Sequence, residues 1–298
     1  MERHFLSLKD IEKDALKILE VSSDLKKDRQ MGNRWLKGEI IGLLFEKPST
    51  RTRVSFEVAI RELGGEALYL SGGETQLGRG ETLADTARVL SRYLDGLIVR
   101  TYGQERLEEL ANHSTIPIIN ALTDLLHPCQ ILSDLFTIKE KKGTWEGIKI
   151  VYIGDGNNVC NSWIVAGEIF HLNLIISTPE THTPPIEKLK EKGLVKNEPI
   201  IIHDPREAVK DADVVYTDVW VSMGEKEKEE EVFYPYQVNA SLLSLAHPDC
   251  IVMHCLPAHR GKEITDEVMD GENSVVWDQA ENRLHVGKGI ILWAMNKI

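Results

Sequence analysis

The chain has 298 residues, of which 42% are hydrophobic, and a formal net charge of −12 at pH 7. A chain of this length can bury a sizeable core and corresponds to about two ordinary domains. The acidic balance argues against a broad nucleic-acid footprint, and the sequence contains neither a bilayer-spanning apolar run nor a signal-peptide pattern at its start. We therefore expect a cytoplasmic protein that binds neither nucleic acid nor membrane.

The first half of the chain alternates apolar runs with helical patterns. A buried strand is predicted from Ile40, and it leads through the loop FEKPSTRTR into a helix that two glycines stop. Further strands are predicted from Gly96 (GLIVRT) and from Ile116 (IPIINA), separated by helical stretches such as ETLADTARVLSRYL. The pattern between His127 and Lys142 predicts a helix that joins two domains.

The second half repeats this alternation. Its predicted strands are IKIVYIGDG, NLIISTP, PIIIHD, DVVYTDVW, CIVMHCLPA and SVVWDQA. Strands that alternate with helices indicate a mostly parallel sheet, and ligands of such sheets collect at the carboxyl ends of the strands. We predict an α/β fold of two domains, each with a mostly parallel sheet flanked by helices, joined by interdomain helices. The predicted bounds are 1–140, completed by a C-terminal helix over 281–298, and 145–280.

The loop FEKPSTRTR carries the first candidate site. It places the hydroxyl and guanidinium groups of residues 49–53 where a strand leads into a helix. These groups and the helix N–H groups can converge there on one anion. On these residues alone, a helix cap with solvent-facing arginines explains the loop equally well.

The cysteines indicate neither disulfides nor a zinc ribbon. The chain has four, without a CxxC pair, so we expect reduced thiols. In HCLPAHRG the residues His254, Cys255 and His259 are zinc-ligand types, but they straddle a proline and lack a fourth partner at finger spacing. We predict no metal and no cofactor. A buried, inert cysteine is the ordinary alternative for Cys255.

Six motifs decide between these interpretations. In chain order they are FEKPSTRTRVSFE, HPCQ, DGNN, DVWVSMG, HCLPAHRG and AENRLH. Together they resemble the aspartate/ornithine carbamoyltransferase family over nearly the whole chain, and the SMG and HCLP segments resemble its ornithine branch. The resemblance implies transfer of the carbamoyl group of carbamoyl phosphate to the δ-amine of L-ornithine. It also implies a carbamoyl-phosphate-binding domain at 1–140, an ornithine-binding domain at 145–280, and a homotrimer or assembly of trimers with shared active sites.

The resemblance also implies ligands for carbamoyl phosphate. They are Ser49, Thr50, Arg51, Thr52, Gln76, Arg100, His127, Gln130 and Arg283. The hydroxyls and Arg51 would hold the phosphate, and Arg100, His127 and Gln130 would reach the carbamoyl group. Gln76 would act on the ligand of a neighbouring subunit. A catalyst for this substrate must neutralise a dianion and polarise a weakly electrophilic carbonyl, which these residue types can do.

The implied ornithine ligands lie in the second half. They are Asn158, Asp218, Ser222, Met223, Cys255 and Leu256. Asp218 would pair with the ammonium, Cys255 would face the δ-amine as a proton-handling and orienting group, and the Leu256 carbonyl would accept from the carbamoyl NH₂. Only a neutral amine has a lone pair for attack. The catalytic residues implied are Arg51, Arg100, His127, Asp218 and Cys255.

Two positions depart from the family pattern, and several alternatives stay open. Asn161 and Gly287 stand where many relatives carry histidine and glutamine, which can alter local packing.

A dinucleotide enzyme is the strongest rival because IGDGNN follows a strand and Glu180 lies about twenty residues on, but Val159 occupies the third glycine position. A binding protein on an inactive transferase fold is a second rival. Carbamoyltransferases for aspartate, putrescine or N-acetylornithine are closer alternatives, although the last two substrates lack a charge that the clamp would bind.

Overall fold

The computed structural model describes residues 3–73, 80–221 and 230–298. By its internal contacts the chain forms two compact units, one of residues 1–133 with 282–298 and one of residues 134–281. Helices alternate with parallel strands in both units, which confirms the predicted α/β class. Among the described helices, none is both long enough and apolar enough to cross a membrane.

The first unit contains a four-stranded parallel sheet with the strand order β2-β1-β3-β4. Its strands are β1 (Ile40–Phe45), β2 (Glu66–Ser71), β3 (Gly96–Arg100) and β4 (Ile118–Leu122). The helices are α1 (Ala15–Lys27), α2 (Thr50–Glu62), α3 (Leu83–Leu90), α4 (Gln104–His113) and α5 (Pro128–Lys142), the last of which ends in the second unit.

The second unit contains a five-stranded parallel sheet with the order β7-β6-β5-β8-β9. Its strands are β5 (Lys149–Ile153), β6 (Asn173–Ser177), β7 (Ile200–Ile201), β8 (Val214–Thr217) and β9 (Ile251–His254). The helices are α6 (Asn158–Phe170), α7 (Ile186–Glu191), α8 (Pro205–Ala208), α9 (Ala240–Leu243), α10 (Asp266–Met269) and α11 (Val276–Ala294). Helix α11 ends in the first unit, so α5 and α11 are the interdomain helices.

Two elements differ from the sequence prediction. Strand β2 is not predicted, because it is an edge strand whose residues are all exposed or only partly buried, and it lacks a buried apolar run. The predicted strand SVVWDQA is wrong. Ser274 makes one isolated bridge to Val252, and α11 begins at Val276. A short apolar run does not distinguish a strand from the first turn of a buried helix.

Each sheet brings the candidate residues to its carboxyl edge. In the first unit, Phe45 pairs with Arg100, so the loop after β1 lies beside the end of β3. In the second unit, Ile153 pairs with Thr217 and Thr217 with His254. Because these strands are parallel, the residues that follow β5, β8 and β9 meet at one edge of their sheet.

Candidate active site

Helix α2 begins in the loop FEKPSTRTR. Ser49 is its N-cap, with extended backbone, and the Ser49 hydroxyl accepts a hydrogen bond from Thr52 N at 3.3 Å. Thr50 is exposed, and Arg51 is half-buried. A helix start presents amide donors and the positive end of the helix dipole to an anion. The helix-cap and anion-site interpretations therefore apply to the same residues.

The second arginine of the loop, Arg53, has a different environment. Its Nε donates to Glu57 Oε1 at 2.7 Å, and its guanidinium lies 3.7 Å from the centroid of the Tyr69 ring. The positive charge of Arg53 is thus paired along α2. The loop contributes Arg51 rather than Arg53 as its candidate cation for a ligand.

Four residues of the first unit, from α2, β3, the loop before α5 and α11, form what we call the arginine–histidine cluster: Thr52, Arg100, His127 and Arg283. Arg283, on α11, donates from Nη2 to Thr52 Oγ1 at 2.7 Å. The charges of Arg283 and Arg100 both lower the pKa of His127. Thr52, His127 and Arg283 are buried, so the cluster lies in a desolvated setting where charge interactions are strong.

His127 is neutral in this cluster. Burial lowers the pKa of His127 well below its ordinary value of 6.5, and the neighbouring Arg283 and Arg100 lower this pKa further. A neutral imidazole carries one N–H donor and one acceptor nitrogen. Gln130, buried on the first turn of α5, adds an amide nearby in sequence. His127 and Gln130 can therefore bind a ligand oxygen that gains negative charge, and His127 keeps its protonation state near pH 7.

Three residues of the second unit form the thiol–carboxylate cluster: Asn157, Asp218 and Cys255. Cys255 Sγ donates to Asp218 Oδ1 at 2.8 Å, and Asn157 Nδ2 donates to Asp218 Oδ2 at 2.8 Å. Asp218 and Asn157 are buried, whereas Cys255 is partly exposed. The other three cysteines are free and buried. Cys255 is therefore the thiol of the chain with both a carboxylate partner and access from outside.

Asn157 is the residue that sequence reasoning missed, since only its neighbour Asn158 is predicted as a ligand. Asn157 is the N-cap of α6, and Asn158 is the first, half-buried residue of that helix. An asparagine before an apolar helical run is a recognisable cap signal. The contact with Asp218, 61 residues further on, has no local signal.

The turn that carries Asn157 is tightly packed. Gly156 N donates to His182 O at 2.9 Å, and a Cβ atom at Gly156 would lie 2.4 Å from Pro184 N. Only glycine permits this close approach of two backbone segments. The motif DGNN is therefore a rigid connection between β5 and α6.

His254 and Glu263 support the other side of the cluster. Both side chains are fully buried, with His254 Nε2 at 3.1 Å from Glu263 Oε1, while His254 Nδ1 accepts from Leu256 N at 2.8 Å. Leu256 has φ +62°, a left-handed conformation that costs roughly 1–2 kcal/mol for a residue other than glycine. The imidazole therefore holds the backbone N–H of Leu256, the residue whose carbonyl is the predicted ligand.

Asp218, His254 and Cys255 also place potential metal-ligand atoms within 4.8 Å of one another. Both ring nitrogens of His254 already have hydrogen-bond partners, and the thiol donates to the carboxylate. A metal would have to displace these bonds, and a structural zinc site needs four ligands. These three residues do not fit a resident metal. That the protein holds no metal stays a prediction.

The second unit is acidic around this cluster. Its buried carboxyl groups are Asp134, Asp155, Asp218 and Glu263. Burial raises the pKa of Tyr216, and the nearby Asp134, Cys255 and Asp218 raise it further. Burial opposes a charge of either sign, but the contribution of the neighbouring acidic groups to this shift favours a positive charge on a ligand.

Some predicted residues cannot be placed. Gln76, Ser222 and Met223 lie outside the described residues.

Of the two family departures, Asn161 is buried in α6, and a Cβ atom at Gly287 would touch Phe56 Cε1 at 3.4 Å. Position 287 thus packs against α2, the helix whose first turn carries Arg51.

Comparisons with known proteins identify the family of the chain. Residues 3–140 match the carbamoyl-P binding domain of the aspartate/ornithine carbamoyltransferase family, and residues 146–294 match its Asp/Orn binding domain. An ornithine carbamoyltransferase of Syntrophus aciditrophicus is 54% identical, over 98% of this chain and 99% of the relative. The anabolic ornithine carbamoyltransferase of Pyrococcus furiosus is 50% identical over 99% and 97%. A solved ornithine carbamoyltransferase from the same organism superposes with a TM-score of 0.91, at 49% identity, over 100% and 98%.

Proposed function

We infer that this chain, which belongs to the aspartate/ornithine carbamoyltransferase family, transfers the carbamoyl group of carbamoyl phosphate to the δ-amine of L-ornithine. The products are L-citrulline and phosphate. The thiol–carboxylate cluster carries this inference, because Asp218 is held by an amide and a thiol, both neutral. Neutral donors orient the carboxylate and leave its negative charge for an ammonium group.

The first unit supplies the carbamoyl-phosphate ligands. The start of α2 binds the phosphate through Ser49, Thr50, Arg51 and Thr52. Arg283 adds a cation next to Thr52. Arg100, His127 and Gln130 bind the carbamoyl group. As the carbonyl oxygen gains negative charge, a neutral His127 N–H and the Arg100 guanidinium stabilise it. The support is the arginine–histidine cluster and the lowered pKa of His127.

The second unit supplies the ornithine ligands. Asp218 pairs with the ammonium, while Asn158 with the backbone of Ser222 and Met223 binds the remaining charged end. The δ-amine attacks the carbamoyl carbon with its lone pair, and the bond from that carbon to the phosphate oxygen then breaks. The electron pair leaves with phosphate, and the amine proton passes to the solvent through the group facing it, Cys255. The Leu256 carbonyl accepts from the carbamoyl NH₂.

A substrate panel tests the function. Purified enzyme is assayed with carbamoyl phosphate and, in parallel, L-ornithine, L-aspartate, putrescine and N-acetylornithine. We expect ornithine to give the highest kcat/KM by at least tenfold, because the other compounds lack the α-carboxylate, the α-ammonium or the second amine. A higher kcat/KM with N-acetylornithine would contradict the assignment because Asp218 would have no ammonium to bind, and a higher value with putrescine would contradict it because putrescine has no carboxylate for the other ligands.

We assign the carbamoyl-phosphate domain to residues 1–140 with the helix over 281–298, and the ornithine domain to residues 145–280. We also place the enzyme in the cytoplasm, which four cysteines without a disulfide support. The assembly is a homotrimer or a set of trimers in which Gln76 of one subunit acts on carbamoyl phosphate bound to Arg51 of the next.

Mixing of two inactive variants tests the shared site. Arg51→Ala and Gln76→Ala proteins are refolded separately and together, and heterotrimers are verified by native mass measurement. If Gln76 acts on the neighbouring subunit, random mixing leaves about a quarter of the sites intact in a three-fold ring, so activity reappears. If every subunit uses its own Gln76, the mixture stays as inactive as its parents.

A further inference from the structure

We propose that Asn157 is a positioning residue that fixes the direction of the Asp218 carboxylate relative to α6. The proposal rests on the proposed function, in which Asp218 binds the ammonium of ornithine and Asn158 its carboxylate end. One side chain then links both halves of the ornithine site. Asn157 does so through two polar atoms that face opposite ways.

The orientation of the Asn157 amide follows from its partners. Its Oδ1 accepts from Val159 N at 2.9 Å and from Cys160 N at 3.1 Å. Backbone N–H groups can only donate, so the oxygen must face the helix and the NH₂ group must face Asp218. A flipped amide would lose three hydrogen bonds at once. The donor on Asp218 Oδ2 is therefore specified by the helix cap.

The carboxylate is held without loss of charge. Each oxygen of Asp218 takes one neutral donor, Cys255 Sγ on Oδ1 and Asn157 Nδ2 on Oδ2. A carboxylate oxygen has two lone pairs, so each oxygen retains one for a ligand. In the part of the chain that the structure describes, neither a lysine nor an arginine forms an ion pair with Asp218. The two donors fix the direction of the Asp218 carboxylate, and its negative charge stays available to attract the ammonium of the substrate.

The other end of Asn157 sets the start of α6. Capping by Oδ1 fixes where the helix begins, and Asn158 is its first residue. The turn before it cannot shift, because Gly156 packs against the backbone at Pro184. The separation between Asp218 and Asn158 is thus determined by one residue. We expect changes at Asn157 to alter ornithine use and to leave carbamoyl phosphate binding intact.

The test uses Asn157→Asp, which keeps the cap oxygen and replaces the donor by a second carboxylate facing Asp218. Two carboxylates in contact share a proton, which raises the pKa of the pair. We expect kcat/KM for ornithine to fall at least tenfold at pH 7, and the acid limb of its pH profile to move to higher pH. The Kd of carbamoyl phosphate, measured by calorimetry, should not change.

The matched control is Asn239→Asp at the N-cap of α9. Asn239 Oδ1 accepts from Leu242 N at 3.0 Å, so the control makes the same chemical change at another cap. We expect it to keep the wild-type kinetics and pH profile. Should Asn157→Asp fail to fold, Asn157→Ser keeps a capping hydroxyl but loses the donor to Asp218, and it should lower kcat/KM for ornithine without moving the profile.

The outcomes separate the two claims. Wild-type enzyme that does not convert ornithine overturns the proposed function. Wild-type enzyme that is active, together with an Asn157→Asp variant of unchanged kcat/KM and pH profile, overturns the positioning role alone. A loss of melting temperature accompanied by equal losses for ornithine and carbamoyl phosphate assigns Asn157 a purely structural role, and this also overturns the proposal.

Discussion

The two units share one architecture and differ in the charge at its functional edge. In each, a parallel sheet presents polar residues where its strands end. The first unit places Arg100 and Arg283 beside a neutral His127 there, and the second places Asp218 among other buried acids. The sheet determines where a ligand binds, and the few residues that follow the strands determine which charge the ligand has.

The comparison extends to how the charged groups are held. Arg283 donates to a hydroxyl, and Asp218 accepts from a thiol and an amide, so these contacts leave the charges intact. Elsewhere, Arg53 pairs with Glu57, and Arg260 pairs with Asp270 on the surface. Asp218, which meets neutral donors, is a candidate for ligand binding, whereas a charge that meets an opposite charge, as at Arg53, is a candidate for structural support. Variants of each kind test this distinction.

The largest effect is expected from Arg51→Met with Arg53→Met as its control. Both changes remove one guanidinium from the first turn of α2, but Arg53 is already paired with Glu57 and stacked on Tyr69. Removing a group that stabilises transition-state charge costs about 10²–10³ in kcat. We expect this loss for Arg51→Met and a change below about threefold for Arg53→Met. Equal losses in steady-state assays would show that net charge on the helix, rather than Arg51, matters.

The second largest effect is expected from Asp218→Asn, with Asp213→Asn as its control at the other end of β8. Asp213 accepts from Lys149 N at 2.9 Å, a bond that asparagine can keep. A charge-assisted hydrogen bond contributes about 1.5–3 kcal/mol, or some tens-fold in affinity. Calorimetry should show that loss for ornithine with Asp218→Asn, and unchanged carbamoyl phosphate binding. Unchanged ornithine affinity would remove Asp218 from the site.

The sequence predicts the part of this comparison that depends on local pattern. The buried runs that became β1, β3, β5, β8 and β9 are correctly predicted, and polar residues at their ends locate both clusters. Ser49 is recognisable as a helix cap because its neighbours carry the helical pattern. Strands and helix caps that depend on neighbouring residues can therefore be predicted from the sequence.

The contacts that distinguish the two sites are not local. Arg283 reaches Thr52 across 231 positions, and Asn157 reaches Asp218 across 61. No periodicity encodes such pairs, because they depend on how elements pack. The same limit explains the wrong strand over SVVWDQA, where the apolar run packs as the beginning of α11. Asp218 and Cys255 are predicted residue by residue from the family motifs, whereas their hydrogen bond is seen only in the structure.

A smaller effect is expected from Glu46→Gln, which weakens a support of the first unit. Glu46 N donates to Arg100 O at 2.9 Å, and the Glu46 carboxylate accepts from Arg106 Nη2 at 2.6 Å and from the Thr101 hydroxyl. The side chain thus anchors the end of β3 that presents Arg100. We expect kcat to fall about three- to tenfold, as for loss of one ordinary hydrogen bond of about 0.5–1.5 kcal/mol, because glutamine keeps one acceptor oxygen. Glu57→Gln breaks a comparable pair with Arg53 and should leave kcat unchanged; equal effects would contradict the role of Glu46.

The smallest effect concerns the neutral member of the cationic site. The folded protein lowers the pKa of His127 well below 6.5, whereas the unfolded chain binds a proton near 6.5. Below that pH the unfolded state holds more protons, so stability falls as pH falls. From pH 8 to pH 6 this single imidazole should cost about 0.8 kcal/mol of unfolding free energy, because its folded form stays neutral.

The variant His127→Gln removes this titration and should flatten the pH dependence by that amount in urea unfolding curves. The comparison at pH 8, where both states carry a neutral imidazole, serves as the internal control for the packing cost of the substitution. An identical slope for wild type and variant would show that His127 takes up a proton in the folded state. Below about pH 6.5 the cluster would then bind its anion with a third cation, and it would lose its neutral donor there.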